Sequence, residues 1–322
     1  MAQMVAGTQL HGSPRRAGSR IILTEVGRFM VVEVTHVAYS DETHHNVGRF
    51  KGIGVVTAAV DHATRASEEV KAILATANVS ELKWEKLRTA RDRIAAIQVA
   101  DWLFSKINVL RVDVLTWDIE DPRHRLRGRD DVANLHRMYH HLMNSVLRRY
   151  PTGCTWKLYP DEQDSIDWER VHDFLDGAGT KSRFRQNVGA LTYRLRFEKD
   201  FRVVQIVPSK SEVEPLIQVA DLLAGMAAFS RAHIETYRRW KEQESSQANL
   251  FEKEEQTFSS GEREKCAFLS DFRHRCHRCA LPVSLNSTSG LQTRDPRIAL
   301  NFWHYEPQRQ ADKAPTRTTR AG

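Results

Sequence analysis

Residues 215–226, Pro-Leu-Ile-Gln-Val-Ala-Asp-Leu-Leu-Ala-Gly-Met, constrain the fold more than any other stretch of the chain. Apolar side chains occupy nearly every helical face, which predicts a helix buried all round rather than an amphipathic one. One polar seam interrupts it, with Gln218 and Asp221 three apart and Gly225 one turn further on. A carboxylate inside such a helix needs hydrogen-bond donors or a cation to offset its desolvation. The stretch alone leaves two readings open: an aspartate satisfied by backbone or an arginine, or an aspartate that does chemistry.

The residues leading to this helix alternate between strand and helix patterns. Residues 29–39 are rich in β-branched side chains and predict a strand ending at Ser40-Asp41-Glu42-Thr43. Residues 52–60 predict a second strand paired back antiparallel. A helix is expected over 63–77, and Ser80 is placed to cap another that continues through 86–106. A strand over 109–117 and a helix over 131–149 follow. Then come a strand over 154–159 that delivers Asp161 at its end and a short helix over 167–175. Strands over 191–197 and 201–207 are expected to be joined by a tight charged turn. This order predicts an α/β domain with a mixed sheet, an antiparallel start and flanking helices. There is no internal repeat.

The domain is expected to span 21–240. Residues 1–20 read as a disordered basic arm, and 241–263, rich in Glu, Lys, Gln and Ser, as a charged linker or frayed helix end. Residues 264–322 read as a C-terminal extension packing on the domain through the aromatic stretch 301–307, with a disordered tail. No run approaches the roughly 18 apolar residues that span a bilayer, and no signal-like region opens the chain, so a cytoplasmic protein is expected.

Forty-eight Lys and Arg against 41 Asp and Glu give a net charge of +7, which suits a polyanionic partner, nucleic acid first. Arginines cluster at Arg123–Arg129, at Arg183 and Arg185 beside Lys181, and at Arg194 and Arg196; each cluster also reads as a solvated loop or strand face. Cys266, His274, Cys276, His277 and Cys279 supply enough ligand types for tetrahedral zinc. There is no second Cys-x-x-Cys unit, and Cys266 and His274 share a helix at an awkward spacing, so no zinc is expected. His136 and His140 lie one turn apart without a third ligand nearby.

Four acids stand at positions where separate elements could bring them together: Asp41, Glu81, Asp161 and Asp221. Carboxylates of this kind suit Mg²⁺ or Mn²⁺, and two such ions support phosphodiester hydrolysis. With 41 acidic residues in the chain, spacing alone also allows chance quartets.

The motifs Asp41-Glu42-Thr43, Glu81-Leu82-Lys83-Trp84, Asp161-Glu162 and Gln218-Val219-Ala220-Asp221-Leu222 resemble those of a prokaryotic domain-of-unknown-function family, number thirty-eight-hundred, grouped with the ribonuclease-H-like fold. The resemblance runs from Val31 to Met226. Thr43 stands where that family has Ser, and Pro208 precedes Ser209 where it often has Asp. The resemblance implies a ribonuclease-H-like domain and a nuclease-like site, with Asp41, Glu81, Asp161 and Asp221 as metal ligands. Glu42, Lys83, Gln218 and Lys210 are expected to support that site. The function expected is a two-metal nuclease. The alternatives are a non-catalytic nucleic-acid-binding module of the same fold, or an interaction protein whose acids serve structure.

Overall fold

The computed structural model describes residues 21–23, 29–43, 48–121, 131–163, 165–186, 193–246, 258–286 and 290–306. The chain divides into two units, Met1–Glu33 and Val34–Gly322. In the first, β1 (Ile21–Leu23) pairs antiparallel with β2 (Phe29–Val31). The basic arm, the arginine cluster at 123–129 and the final tail lie outside the described residues.

The second unit is built on a six-stranded mixed sheet. Its first three strands, β3 (His36–Thr43), β4 (Phe50–Ala59) and β5 (Leu110–Asp118), form an antiparallel meander. Between β4 and β5 run α1 (Val60–Thr76) and α2 (Ala90–Lys106). α3 (Asp131–Leu147) leads to β6 (Cys154–Pro160), which returns to the other side of β3 and pairs parallel with it. After α4 (Trp168–Ala178), β7 (Thr180–Gln186) and β8 (Tyr193–Lys199) form a separate antiparallel hairpin. β9 (Phe201–Ile206) then joins the main sheet, parallel to β6. The helices α5 (Pro215–Ala232), α6 (Ile234–Ser246) and α7 (Ser260–Arg278) follow, then the hairpin β10 (Val283–Asn286) and β11 (Gly290–Thr293). β12 (Leu300–His304) closes the far edge of the sheet, parallel to β5. The order β12-β5-β4-β3-β6-β9, with its antiparallel start and flanking helices, is the mixed α/β sheet that the sequence predicts.

Every residue of α5 from Pro215 to Ser230 is buried, which is why its sequence is apolar on all faces. Pro215 fits the first turn, where its missing N–H leaves no intrahelical bond unmade. The helix lies directly on the sheet because β4 supplies glycines beneath it. A Cβ at Gly54 would collide with the Ala220 carbonyl oxygen, and one at Gly52 would stand 3.2 Å from the Ala224 carbonyl oxygen. α1, α2 and α7 share this apolar layer with α5, while α3 and α4 cover the opposite face.

Several local expectations are corrected. Ser80 caps nothing; Thr89 is the cap of α2, in a capping box with Asp92, and residues 84–86 form a separate 3₁₀ turn. Glu81 therefore sits in an extended segment, not at a helix start. Residues 32–35 leave the strand pattern between β2 and β3, so the β-branched run is split. β8 pairs antiparallel with β7, while β9 lies at the edge of the main sheet beside β6. Within 241–263, α6 continues to Ser246 and α7 begins at Ser260, capped by Ser259 and Glu262. Among the described residues, no helix is long and apolar enough to cross a membrane.

Candidate functional site

Strand alternation sorts the first acids. Asp41 lies inside β3, two residues before its end, on the α5 face with Val37 and Tyr39, and is buried. Glu42 points to the α3 face, where it accepts hydrogen bonds from the Tyr139 hydroxyl and from Gln163 Nε2, the latter at 2.8 Å. Asp161 follows β6 and is held beside β3 by its backbone N–H, which donates to the Ser40 carbonyl at 2.8 Å. It also bridges in parallel to Ser209, just beyond β9. Asp41 and Asp161 thus meet at the carboxyl ends of the parallel strands, where ligand clefts of open α/β sheets form.

The segment 81–84, extended up to Lys83, lies between these acids and α5. Gln218 Oε1 accepts the Leu82 N–H at 2.7 Å, while Gln218 Nε2 donates to the Ser211 carbonyl at 2.8 Å. Asp221 Oδ2 accepts the Trp84 N–H at 2.6 Å. The polar seam of the buried helix therefore clamps the backbone on either side of Lys83. The Trp84 indole is fully buried and occupies the space left by Gly225, where a Cβ would overlap its ring.

Clamped in this way, Lys83 delivers its ammonium into the acids. Lys83 Nζ lies 3.1 Å from Asp161 Oδ2, 3.4 Å from Asp41 Oδ2 and 3.9 Å from Glu81 Oε1. Glu81 is turned mostly to other partners: an ion pair with Lys86, and the Ser211 hydroxyl, which donates to it at 2.9 Å. Lys210 is exposed, and no ion pair among the described residues joins it to the cluster.

The electrostatics are those of crowded, desolvated carboxylates. Burial, then the neighbouring Asp221, hold the Asp41 pKa well above the ordinary carboxylate value, with Lys83 opposing. Burial pushes Asp221 up to about 6, against the Trp84 N–H and Lys83, which favour its charged form. For Lys83, burial disfavours the charge, but Asp41, Asp161 and Asp221 outweigh it and raise its pKa. In Glu81 burial is likewise outweighed, by hydrogen bonds from Lys86 and Ser211, and its pKa is lowered.

The oxygen donors fit a hard divalent cation in kind; the raised pKa values of Asp41 and Asp221 come first from burial, with neighbouring carboxylates adding to it. In the arrangement seen here, the cation they share is the Lys83 ammonium. Among the described residues, no three Asp, Glu, His or Cys side chains stand together in a metal-holding group. Sequence reasoning missed two neighbours of the site. Glu85 raises the Asp221 pKa, and Lys265 on α7 stands 5.4 Å from the centre of the Trp84 ring, in electrostatic contact with Asp221. The charge run of α7 held no periodic signal that would have singled out Lys265.

With the geometry established, comparison with known proteins places the chain. It is 38% identical over 290 residues to the uncharacterized protein ORF2′ of Methanothermobacter thermautotrophicus, covering 87% of this chain and 97% of that protein. A second protein of the same organism, ORF2, is 36% identical over the same length with the same coverage. This chain belongs to the ORF2 family. No family model matches it, so the resemblance drawn from the motifs rests on the motifs alone. Among solved structures, the PCNA:RNase HII complex from Archaeoglobus fulgidus contains a similar chain, with a TM-score of 0.37 and 13% identity over 66% of this chain and 88% of that one. A likeness of that degree assigns nothing to the ORF2-family site.

The other sequence candidates fall elsewhere. Asp113, a further acid on a strand, is fully buried and bonded to Arg111, Arg149 and Asn301. His136 Nε2 accepts the Asp167 N–H at 2.8 Å, so that nitrogen is already engaged. Cys266 and Cys276 are buried on α7, and burial pushes both thiols up to about 12, whereas Cys279 is exposed.

Proposed function

We propose that this protein is a divalent-metal-dependent nuclease-like hydrolase of the ORF2 family, acting on phosphodiester bonds. The observation that carries the reading is the convergence of Asp41 and Asp161 on Lys83 at the carboxyl ends of the parallel strands, with Asp221 of α5 holding the adjacent Trp84 N–H. The net charge of +7 and the motif resemblance to the domain-of-unknown-function family add support.

Asp41, Asp161 and Asp221 would hold Mg²⁺ or Mn²⁺, with Glu81 at the margin; such ions supply water activation and stabilise the leaving oxygen. The rest of the work falls to the chain itself. Gln218 fixes the 81–84 segment through its two hydrogen bonds, and Asp221 fixes the far side of Lys83. The buried α5 layer keeps these groups on one rigid helix, which suits a site that must hold charge in place. The basic surface draws a nucleic acid toward the acids, a long-range effect that weakens with salt.

The test is incubation of the full chain with single- and double-stranded DNA and RNA in Mg²⁺, Mn²⁺ or EDTA, beside Asp161→Asn. Cleavage that needs metal and disappears in the variant is expected. No cleavage under any condition, with binding that weakens as salt rises, would instead indicate a non-catalytic nucleic-acid-binding module. The contacts from Lys83 and the Trp84 N–H, which already satisfy the acids, favour that second reading.

A further inference from the structure

Among the described residues, Lys83 is the side chain that hydrogen-bonds both strand-borne acids of the cluster, Asp41 and Asp161. Its backbone cannot drift, because the neighbouring N–H groups of Leu82 and Trp84 are held by Gln218 and Asp221. Its side chain is less confined. Four flexible carbons carry the ammonium, and the side chain is 23% exposed where that of Asp41 is 6% exposed. The ammonium is therefore fixed at its root but carried on a flexible, partly exposed stem.

A divalent ion bound by Asp41 and Asp161 would need the oxygens that now accept from Lys83. Two cations cannot share that position, since their repulsion in a partly desolvated site is strong. Asp41 and Asp161 share this one ammonium between them. We propose that Lys83 is the resident counter-cation of this cluster and that a divalent metal ion binds by displacing its ammonium from Asp41 and Asp161. The proposal rests on the reading of the acids as a metal site. It makes apparent metal affinity a competition set by the chain's own lysine, and it gives the metal-free protein a state in which the acids are already partly neutralised.

Calorimetric titration of Mn²⁺ into the full chain, with thermal melts alongside, tests this. Lys83→Gln keeps a hydrogen-bond donor and removes the competing charge, so it should bind Mn²⁺ about tenfold more tightly than wild type. Without metal it should melt lower, and its rise in Tm on adding Mn²⁺ should exceed that of wild type. Lys83→Arg keeps the charge and should bind no more tightly than wild type, which keeps the proposal testable should Lys83→Gln fail to fold. Lys86→Gln removes an exposed ammonium paired with Glu81 and should leave affinity almost unchanged. Equal or weaker binding by Lys83→Gln, tighter binding by Lys83→Arg, or equal tightening by Lys86→Gln would overturn the displacement while leaving a metal site in place. Absence of Mn²⁺ binding in every form would remove the metal-site reading and this proposal together.

Discussion

Asp221 and Trp84 hold each other in place twice over. The carboxylate accepts the Trp84 backbone N–H at 2.6 Å, and one turn along the same helix Gly225 leaves the space its indole fills. The Glu81–Trp84 and Gln218–Leu222 motifs, far apart along the chain, are thus one structural unit. Its purpose in the fold is to set Lys83 between them.

Replacing Gly225 with Ala tests that unit. Alanine raises helix propensity by about 1 kcal/mol, which alone would stabilise α5. The added Cβ meets the Trp84 ring inside a close-packed layer, and overpacking of this kind costs about 1–3 kcal/mol or more. Urea unfolding should show net destabilisation; a variant as stable as wild type would mean that Trp84 can move aside freely.

Gln218→Leu should be costly for its size. The side chain is buried and serves the Leu82 N–H and the Ser211 carbonyl together. Leucine fills the volume but leaves both backbone groups without their partner, at about 1–3 kcal/mol each. The lowered stability should come with faster amide exchange at Leu82, measurable by hydrogen–deuterium exchange. Unchanged exchange there would show that water replaces the glutamine.

In EDTA, stability should fall as pH rises from about 4 to about 6. The folded-state pKa of Asp221, near 6, lies above its ordinary value of 3.8, so between these values the folded chain binds more protons than the unfolded one. Ionisation in that window therefore disfavours the fold, and Asp41 acts in the same direction. Glu81, whose pKa is lowered, acts in the opposite sense, but only below its ordinary 4.5. Asp221→Asn should flatten the slope by about 1–3 kcal/mol across the window. A steeper slope in the variant would refute the assignment.

Asp113→Asn offers the contrast. That carboxylate bonds Arg111 and Arg149 on the α3 side and Asn301 of β12. Weakening it leaves two guanidinium groups undercompensated, and loss of a buried pair costs about 3–5 kcal/mol. Guanidinium melts should show this loss, together with freer exchange of the β12 amides. Nuclease activity per folded molecule, where present, should be unaffected.

The sequence alone determined the buried helix and its polar seam, because a segment apolar on every face has no stable place except inside. It also determined the antiparallel pairing of β3 with β4 and the presence of acids near the ends of β3 and β6, since strand alternation and turn chemistry are local. What α2 begins on, and which partner β8 takes, were not legible. Thr89 with Asp92 caps α2 in place of Ser80, and β9 joins β6, a strand distant in sequence, while β8 pairs with β7. The position of Lys83 is the clearest case of what only the tertiary structure decided. A lysine in an extended segment is ordinarily a solvated side chain, and nothing local gives this one a carboxylate from each of two strands. Long-range packing does: α5 on the glycines of β4, Gln218 and Asp221 on the backbone of residues 82 and 84, and β6 beside β3 bring charges far apart in the chain within a few ångströms.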